Sequence, residues 1–145
     1  MILYSGKDDH YSQRVKIVLA EKDITAEINE SSLEETPDDI LSMSPSGKLP
    51  SFVDRVFANL DPPVMMEYLD ERFPHPPLLP VYPVSRANSR TLILRIDREW
   101  CPILDQLINA ELPEKELIKL REELLHEISS IAPVSYTHLR AHETS

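Results

Sequence analysis

Two short stretches of the sequence carry residue types that could support metal binding or catalysis. His10 follows Asp8 and Asp9, and imidazole and carboxylate groups are ordinary metal ligands. Side chains that are adjacent on one loop rarely converge on a single ion, so we interpret this stretch as a solvated acidic turn and predict no metal site. Cys101 precedes Pro102 in an apolar stretch, which favours a small buried side chain over a reactive thiolate.

A third stretch with functional potential is rich in proline. Residues 72–84 read RFPHPPLLPVYPV and place His75 and Tyr82 among five prolines. Closely spaced prolines favour extended polyproline II structure, at about 3.1 Å per residue, so the stretch should be stiff. Rings on a pre-ordered backbone lose little conformational entropy on binding, and a docking patch of that kind would consist of Pro74, His75, Pro76 and Tyr82. The alternative is a stiff strap that only joins two domains.

The overall composition is that of an acidic globular chain. Its 145 residues are 41% hydrophobic and 28% charged, and the sequence has no apolar run near the roughly 20 residues that a membrane helix needs. The net charge of −10 and the pI near 4.9 would repel phosphate backbones. The first residues lack the pattern of a secretory signal, and the single cysteine suits a reducing compartment. We therefore expect a cytoplasmic protein without a membrane segment and without direct nucleic-acid contact.

The first 73 residues alternate between strand and helix patterns. Val15 and Leu19 lie four residues apart on one helical face, whereas residues 25–30 alternate between apolar and polar types as a strand does. Asp61 followed by Pro62 is typical of a helix N-cap and first helical residue. The predicted order is β-α-β-α-β-β-α, over residues 1–5, 11–23, 25–30, 36–43, 47–55, 56–60 and 61–73.

Two amphipathic helices are predicted after the proline-rich stretch. Apolar residues recur every three or four positions through residues 89–110 and again through 113–132. Pro102 lies inside the first of these helices and should kink it, because proline has no backbone N–H. The last residues, 135–145, lose this period and resemble translated sequencing-adapter read-through, so we interpret them as a foreign tail. The alternative is a genuine polar tail.

The order of elements up to Phe73, and the stretch GKLPSFVD at 47–54 in particular, resembles the glutathione S-transferase superfamily. This resemblance implies an α/β thioredoxin-like N-terminal domain, with a four-stranded mixed sheet and a cis peptide bond between Leu49 and Pro50. It also implies an all-α C-terminal domain. Two helices with apolar stripes need more cover than one small α/β unit gives, so we expect that helical domain to be incomplete here.

Three stretches resemble more closely the stringent starvation protein A family of this superfamily: VKIVLAEKD, MEYLDERFPHPPLLPVYPV and LREELL. Members of that family are bacterial regulators that associate with RNA polymerase. The resemblance implies RNA polymerase holoenzyme as the partner and a homodimer when full-length, with this chain a copy truncated after Pro133. The docking patch it implies consists of Pro74, His75, Pro76 and Tyr82. The domains would be a thioredoxin-like domain 1–75, a Pro-rich linker 76–85, a partial helical domain 86–134 and the foreign tail 135–145.

The same resemblance bears on catalysis. Superfamily transferases activate the thiol of glutathione with a hydroxyl, or use a cysteine, near the start of the first helix, where this chain has Asp9. A carboxylate cannot donate a hydrogen bond when ionised, and it repels a thiolate. The Glu-Ser pair that holds glutathione before the third helix is replaced by Asp61 and Pro62, and proline lacks both the hydroxyl and the N–H. We therefore predict a non-enzymatic protein with no catalytic residue and no cofactor.

The alternative is a glutathione-dependent transferase or a glutathione-binding protein. Each candidate for its activating hydroxyl is more simply explained as an ordinary strand or helix-start side chain. These candidates are Tyr4, Ser5, Tyr11 and Ser12.

Overall fold

The computed structural model describes two compact units, Met1–Leu79 and Pro80–Ser145. The residues it describes are 1–32, 34–42, 48–55, 57–59, 61–108 and 111–143. The division between the units falls within the segment 76–85, for which the sequence predicts a linker.

The first unit contains the seven elements that the sequence predicts, in the predicted order. They are β1 Ile2–Ser5, α1 His10–Glu21, β2 Glu27–Glu30, α2 Asp38–Ser42, β3 Ser51–Asp54, β4 Phe57–Asn59 and α3 Pro62–Arg72. Each begins or ends within a few residues of its predicted bound, because local signals such as Pro62 at the start of α3 set those bounds.

The four strands form one mixed sheet in the order β2-β1-β3-β4. Strand β1 pairs in parallel with β2 and antiparallel with β3, and β3 pairs antiparallel with β4. Leu3 lies opposite Ile28 on one side and Phe52 on the other. The Leu49–Pro50 peptide bond before β3 is cis. The predicted thioredoxin-like sheet and the predicted cis bond are therefore both confirmed.

The core of the first unit lies between the sheet and the two longer helices. Side chains of β1 alternate, so that Leu3 and Ser5 are buried while Ile2 and Tyr4 are only partly covered. The helices contribute residues four positions apart, as an apolar helical face requires. The buried cluster comprises Leu3, Val15, Leu19, Phe52, Met65 and Leu69.

The second unit consists of helices. They are α4 Pro83–Arg95, a π-helical turn Ile96–Trp100, α5 Cys101–Ile108 and α6 Glu114–Glu143. Cys101 is buried, as its apolar surroundings in the sequence predict. Helix α6 continues through much of the segment 135–145, whose foreign origin stays a prediction. In the part of the chain that the structure describes, no helix is both long and apolar enough to cross a membrane.

Pro102 is accommodated by the π-helical turn that precedes it. The Cys101 N–H donates to the carbonyl of Ile96, five residues earlier, instead of four. This turn is one residue wider than an α-helical turn. It ends directly before Pro102, which has no N–H to donate. The distortion that the sequence predicts at Pro102 therefore takes the form of a π turn on its N-terminal side.

A substitution in the buried cluster tests the predicted core. Leu69→Ala should lower the free energy of unfolding by about 2–5 kcal/mol, because Leu69 is fully buried and its loss leaves a cavity. The control is Ile17→Ala on α1, where the side chain is 51% exposed and the loss should stay below about 1 kcal/mol. Urea denaturation followed by circular dichroism measures both. Equal losses would contradict the assigned core.

Candidate functional site

The Pro-His-Pro loop follows α3 directly. Pro74, His75 and Pro76 are all exposed, and the His75–Pro76 peptide bond is cis. The backbone bends at residues 75–76 and again at 78–79. The expectation of one straight polyproline II segment is therefore wrong, because a side chain of α3 hydrogen-bonds the backbone of this loop.

That side chain is Asp70, in the last turn of α3. Its Oδ1 accepts the N–H of Leu78 at 2.8 Å, and its Oδ2 accepts the N–H of Leu79 at 3.0 Å. Both oxygens of one carboxylate are thus bound to successive amides of the loop. This arrangement turns the chain back towards the end of α3.

Lys22, the C-cap residue of α1, completes the arrangement. Its ammonium lies 2.6 Å from Asp70 Oδ1, 2.8 Å from the carbonyl oxygen of Pro76 and 3.4 Å from the carbonyl oxygen of Asp70. A lysine ammonium has three donors, and each has an acceptor here. The side chains of Lys22 and Asp70 are 0% and 9% exposed. The loop backbone is therefore hydrogen-bonded to a buried ion pair whose two residues lie at the ends of α1 and α3.

The Asp70 carboxylate is held in its charged form. Burial raises its pKa, but the hydrogen bond from Lys22 and the two backbone N–H groups of Leu78 and Leu79 outweigh burial. The pKa of Asp70 consequently lies below its ordinary value. The ion pair is therefore fully formed at neutral pH.

The second unit carries the remaining residue of the predicted patch, Tyr82. It precedes α4 as the N-cap residue, and its carbonyl oxygen accepts the N–H of Arg86 at 2.8 Å. Its side chain is 70% exposed, and Val81 and Val84 beside it are exposed as well. The ring of Tyr82 is therefore open to a partner.

The loop between β1 and α1 uses its polar groups internally. Asp9 caps α1 by accepting the N–H groups of Tyr11 and Ser12 at 3.2 and 3.1 Å. The hydroxyl of Ser12 donates to Asp9 at 2.6 Å and accepts the N–H of Gly6 at 3.1 Å. Asp9 thus has a structural role at the position where the superfamily places its thiol activator.

Two of the four candidate hydroxyls are inaccessible. Ser5 and Ser12 are both fully buried. The Ser5 hydroxyl donates to the carbonyl oxygen of Gly6 at 3.0 Å, so neither serine has a hydroxyl hydrogen left for a thiolate. Tyr4 and Tyr11 are partly exposed, and the guanidinium of Arg14 lies over the Tyr11 ring at 5.2 Å from its centroid.

An open groove of about 550 Å³ lies beside this loop. Both acidic and basic side chains line it, and two of them, Lys16 and Glu30, form an ion pair at 2.6 Å. Among the residues that the structure describes, no three His, Cys, Asp or Glu side chains are placed to hold a metal ion, and this includes His10 with its acidic neighbours. The groove thus carries charges of both signs, and its described residues form no cluster suited to a metal ion.

The start of α3 differs from its prediction in one respect. Asp61 occupies the N-cap position with an extended backbone, but its carboxylate makes no hydrogen bond to the helix N-terminus. An N-cap side chain normally accepts the N–H of the second or third helical residue. Here the first two helical residues are Pro62 and Pro63, which have no N–H. The predicted capping position is confirmed, and the predicted capping bond is wrong.

The comparison with known families decides the relationship. Residues 3–77, more than half of the chain, match the family described as "Glutathione S-transferase, N-terminal domain". The chain belongs to the glutathione S-transferase family.

Individual relatives of this glutathione S-transferase family member carry different names. A "Stringent starvation protein A homolog" from Haemophilus influenzae is 47% identical over 134 residues, which are 92% of this chain and 62% of that protein. A "Probable glutathione transferase" from Aplysia californica is 32% identical over 80 residues, which are 55% of this chain and 87% of that protein. The chain thus spans less than two thirds of the stringent starvation protein A homologs that it matches.

Among solved structures, the tau-class glutathione S-transferase of mango, Mangifera indica, has the same fold. It aligns with a TM-score of 0.74 at 23% identity, over 90% of this chain and 60% of that protein. The thioredoxin-like domain followed by helices is therefore the fold of this family member.

Two residues of the candidate site, Lys22 and Asp70, are not among those that the sequence identifies. One signal for Asp70 was present, since a carboxylate in the last turn of a helix meets the negative end of the helix dipole and needs a cation or donors nearby. The partner could not be read from the sequence, because Lys22 lies 48 positions away. The site as the structure has it therefore joins predicted loop residues to an unpredicted anchor.

The cap of α1 gives one testable prediction. Asp9→Ala should lower the free energy of unfolding by about 1–2 kcal/mol, because α1 loses two capped N–H groups and Ser12 loses its acceptor. The control is Glu21→Ala at the C-terminal end of α1, where the residue is exposed, with an expected loss below about 0.5 kcal/mol. Urea denaturation compares the two. A larger loss at Glu21 would contradict the assigned cap.

The Lys22–Asp70 pair gives a prediction about pH. Because the pKa of Asp70 is lower in the folded state than in the unfolded state, the pair stabilises fully above about pH 4, and the stabilisation is lost as the pH falls through the folded pKa. The free energy of unfolding should therefore fall less steeply below pH 4 in Asp70→Asn than in the original chain.

Glu30→Gln is the control for this measurement. The hydrogen bond from Lys16 also lowers the pKa of Glu30, but that carboxylate is exposed to solvent. Its replacement should change the slope much less than Asp70→Asn does. Equal slopes in the original chain and Asp70→Asn, from urea titrations between pH 7 and pH 2, would refute the prediction.

Proposed function

We propose that this chain is a non-enzymatic transcription regulator of the stringent-starvation and stress-response type. In this proposal it associates with RNA polymerase holoenzyme, without direct nucleic-acid or membrane contact, through Pro74, His75, Pro76 and Tyr82. The observation that carries the proposal is the Pro-His-Pro loop, whose side chains are exposed while its backbone is hydrogen-bonded to buried groups. Such a surface is pre-ordered, so binding costs little conformational entropy.

The similarity to the stringent starvation protein A homologs supports the choice of partner. It extends over 92% of the chain at 43–47% identity in several species. The resemblance of residues 66–84 to that family implies polymerase as the partner. The full-length protein would be a cytoplasmic homodimer.

The start of α1 and the start of α3 support a function without catalysis. The carboxylate of Asp9 occupies the activator position, and the hydroxyls of Ser5 and Ser12 are buried and bonded to protein groups. Pro62 and Pro63 leave the start of α3 without the N–H groups that would hold the γ-glutamyl end of glutathione. A thiol substrate would therefore meet neither an activator nor a grip.

A glutathione-binding function is the second candidate. The similarity to the Aplysia protein named as a probable glutathione transferase favours it. Tyr4 and Tyr11, two of its candidate activating residues, are partly exposed. Passage over immobilised glutathione separates the two candidates, since the regulator should flow through and the glutathione binder should be retained and eluted by free glutathione.

The docking patch is tested by the double variant His75→Ala with Tyr82→Ala. Its affinity for purified RNA polymerase holoenzyme should fall at least about tenfold, because two exposed rings are removed from the centre of the contact. The circular dichroism spectrum should not change, since neither side chain belongs to the buried cluster.

The control for the docking test is His126→Ala, which removes an exposed imidazole from α6. Its affinity for polymerase should equal that of the original chain. If the double variant also binds polymerase as tightly as the original chain, the proline-rich stretch is a linker and the proposed docking patch is wrong.

A further inference from the structure

The Lys22–Asp70 pair makes most of its hydrogen bonds to the loop. The side chains of Lys22 and Asp70 form five hydrogen bonds. Two of these join Lys22 to Asp70, and three go to the backbone of Pro76, Leu78 and Leu79. Neither residue belongs to the apolar cluster that holds α1 and α3 together. The bonds to the loop thus exceed those between the two helices.

The chemistry of the pair also suits positioning better than stability. Removing two charges from water is costly, and an apolar pair of similar volume commonly gives equal or greater stability. An apolar pair could not, however, bind one carbonyl oxygen and two successive N–H groups of a loop. The buried ammonium of Lys22 supplies a donor at that place, and the adjacent carboxylate of Asp70 supplies two acceptors.

We propose that Lys22 and Asp70 are positioning residues for docking, which fix the backbone at Pro76, Leu78 and Leu79 so that a partner meets His75 and its neighbouring prolines in one arrangement. The inference rests on the proposed function, because its expected consequence is a change in polymerase affinity. Its structural part, the fixed loop, can be measured without polymerase. A change at either buried residue should therefore weaken docking although neither side chain is accessible to the partner.

The decisive variant is Lys22→Met with Asp70→Leu, which keeps the volume and removes both charges. Amide hydrogen exchange of Leu78 and Leu79 in the free chain should become at least about tenfold faster, because both N–H groups lose their acceptor. Affinity for polymerase holoenzyme should fall at least about tenfold, while the circular dichroism spectrum and the urea midpoint stay close to those of the original chain.

A charge exchange separates positioning from simple structural support. In Lys22→Glu with Asp70→Lys an ion pair between α1 and α3 can form again, but the new lysine cannot accept the N–H groups of Leu78 and Leu79. A structural role alone predicts that affinity recovers together with stability. Positioning predicts that affinity stays low and exchange stays fast.

The matched control is the exposed ion pair on the same helix, Lys16→Met with Glu30→Gln. This pair has the same 2.6 Å separation but joins α1 to β2. The double substitution should leave both the amide exchange of Leu78 and Leu79 and the affinity for polymerase unchanged.

Three results would overturn the inference. Slow exchange of Leu78 and Leu79 in the Met-Leu variant would show that the pair does not fix the loop. Original affinity in that variant, with affinity lost in His75→Ala with Tyr82→Ala, would reject positioning and leave the proposed function standing. Original affinity in the His75–Tyr82 variant would reject the proposed docking patch and the docking role of the pair with it, while polymerase binding by the chain would stand.

Discussion

The exposed loop after α3 depends on a buried interaction of the first unit, the ion pair between Lys22 and Asp70. Both charges are removed from water, and this is tolerable because every ammonium hydrogen and both carboxylate oxygens have partners. Those partners include three backbone groups of the loop after α3. The loop is consequently part of the interior through its backbone and part of the surface through its side chains.

The two ends of the first unit use their polar groups in opposite ways. At the start of α1, Asp9 and Ser12 satisfy each other and the helix N–H groups, so the side chains that a transferase would present to substrate are bonded inward. At the end of α3, buried groups hold a loop whose rings face solvent. This distribution supports the proposal of a non-enzymatic docking protein.

Local signals in the sequence predict the elements well, and tertiary contacts explain the departures. The local signals are the alternation in residues 25–30, the four-residue step from Val15 to Leu19 and Pro62 at the start of α3. The structure has β2, α1 and α3 at these places. The bend of the loop depends on Lys22, which is distant in sequence. A second proline at position 63 removes one of the two N–H groups that the Asp61 side chain could cap, and this much was readable from the sequence. Pro102 predicts a distortion of the helix, but the sequence does not tell which of several distortions forms, so the π turn before it could not be predicted.

The paired prolines at the start of α3 also change the electrostatics of that helix end. The positive pole of a helix is carried by hydrogens on its first amides, and among the first three helical residues only Val64 has one. A free carboxylate or phosphate approaching this end would meet pyrrolidine rings and the side chain of Asp61. The helix that precedes the Pro-His-Pro loop thus begins at a pole with little attraction for anions.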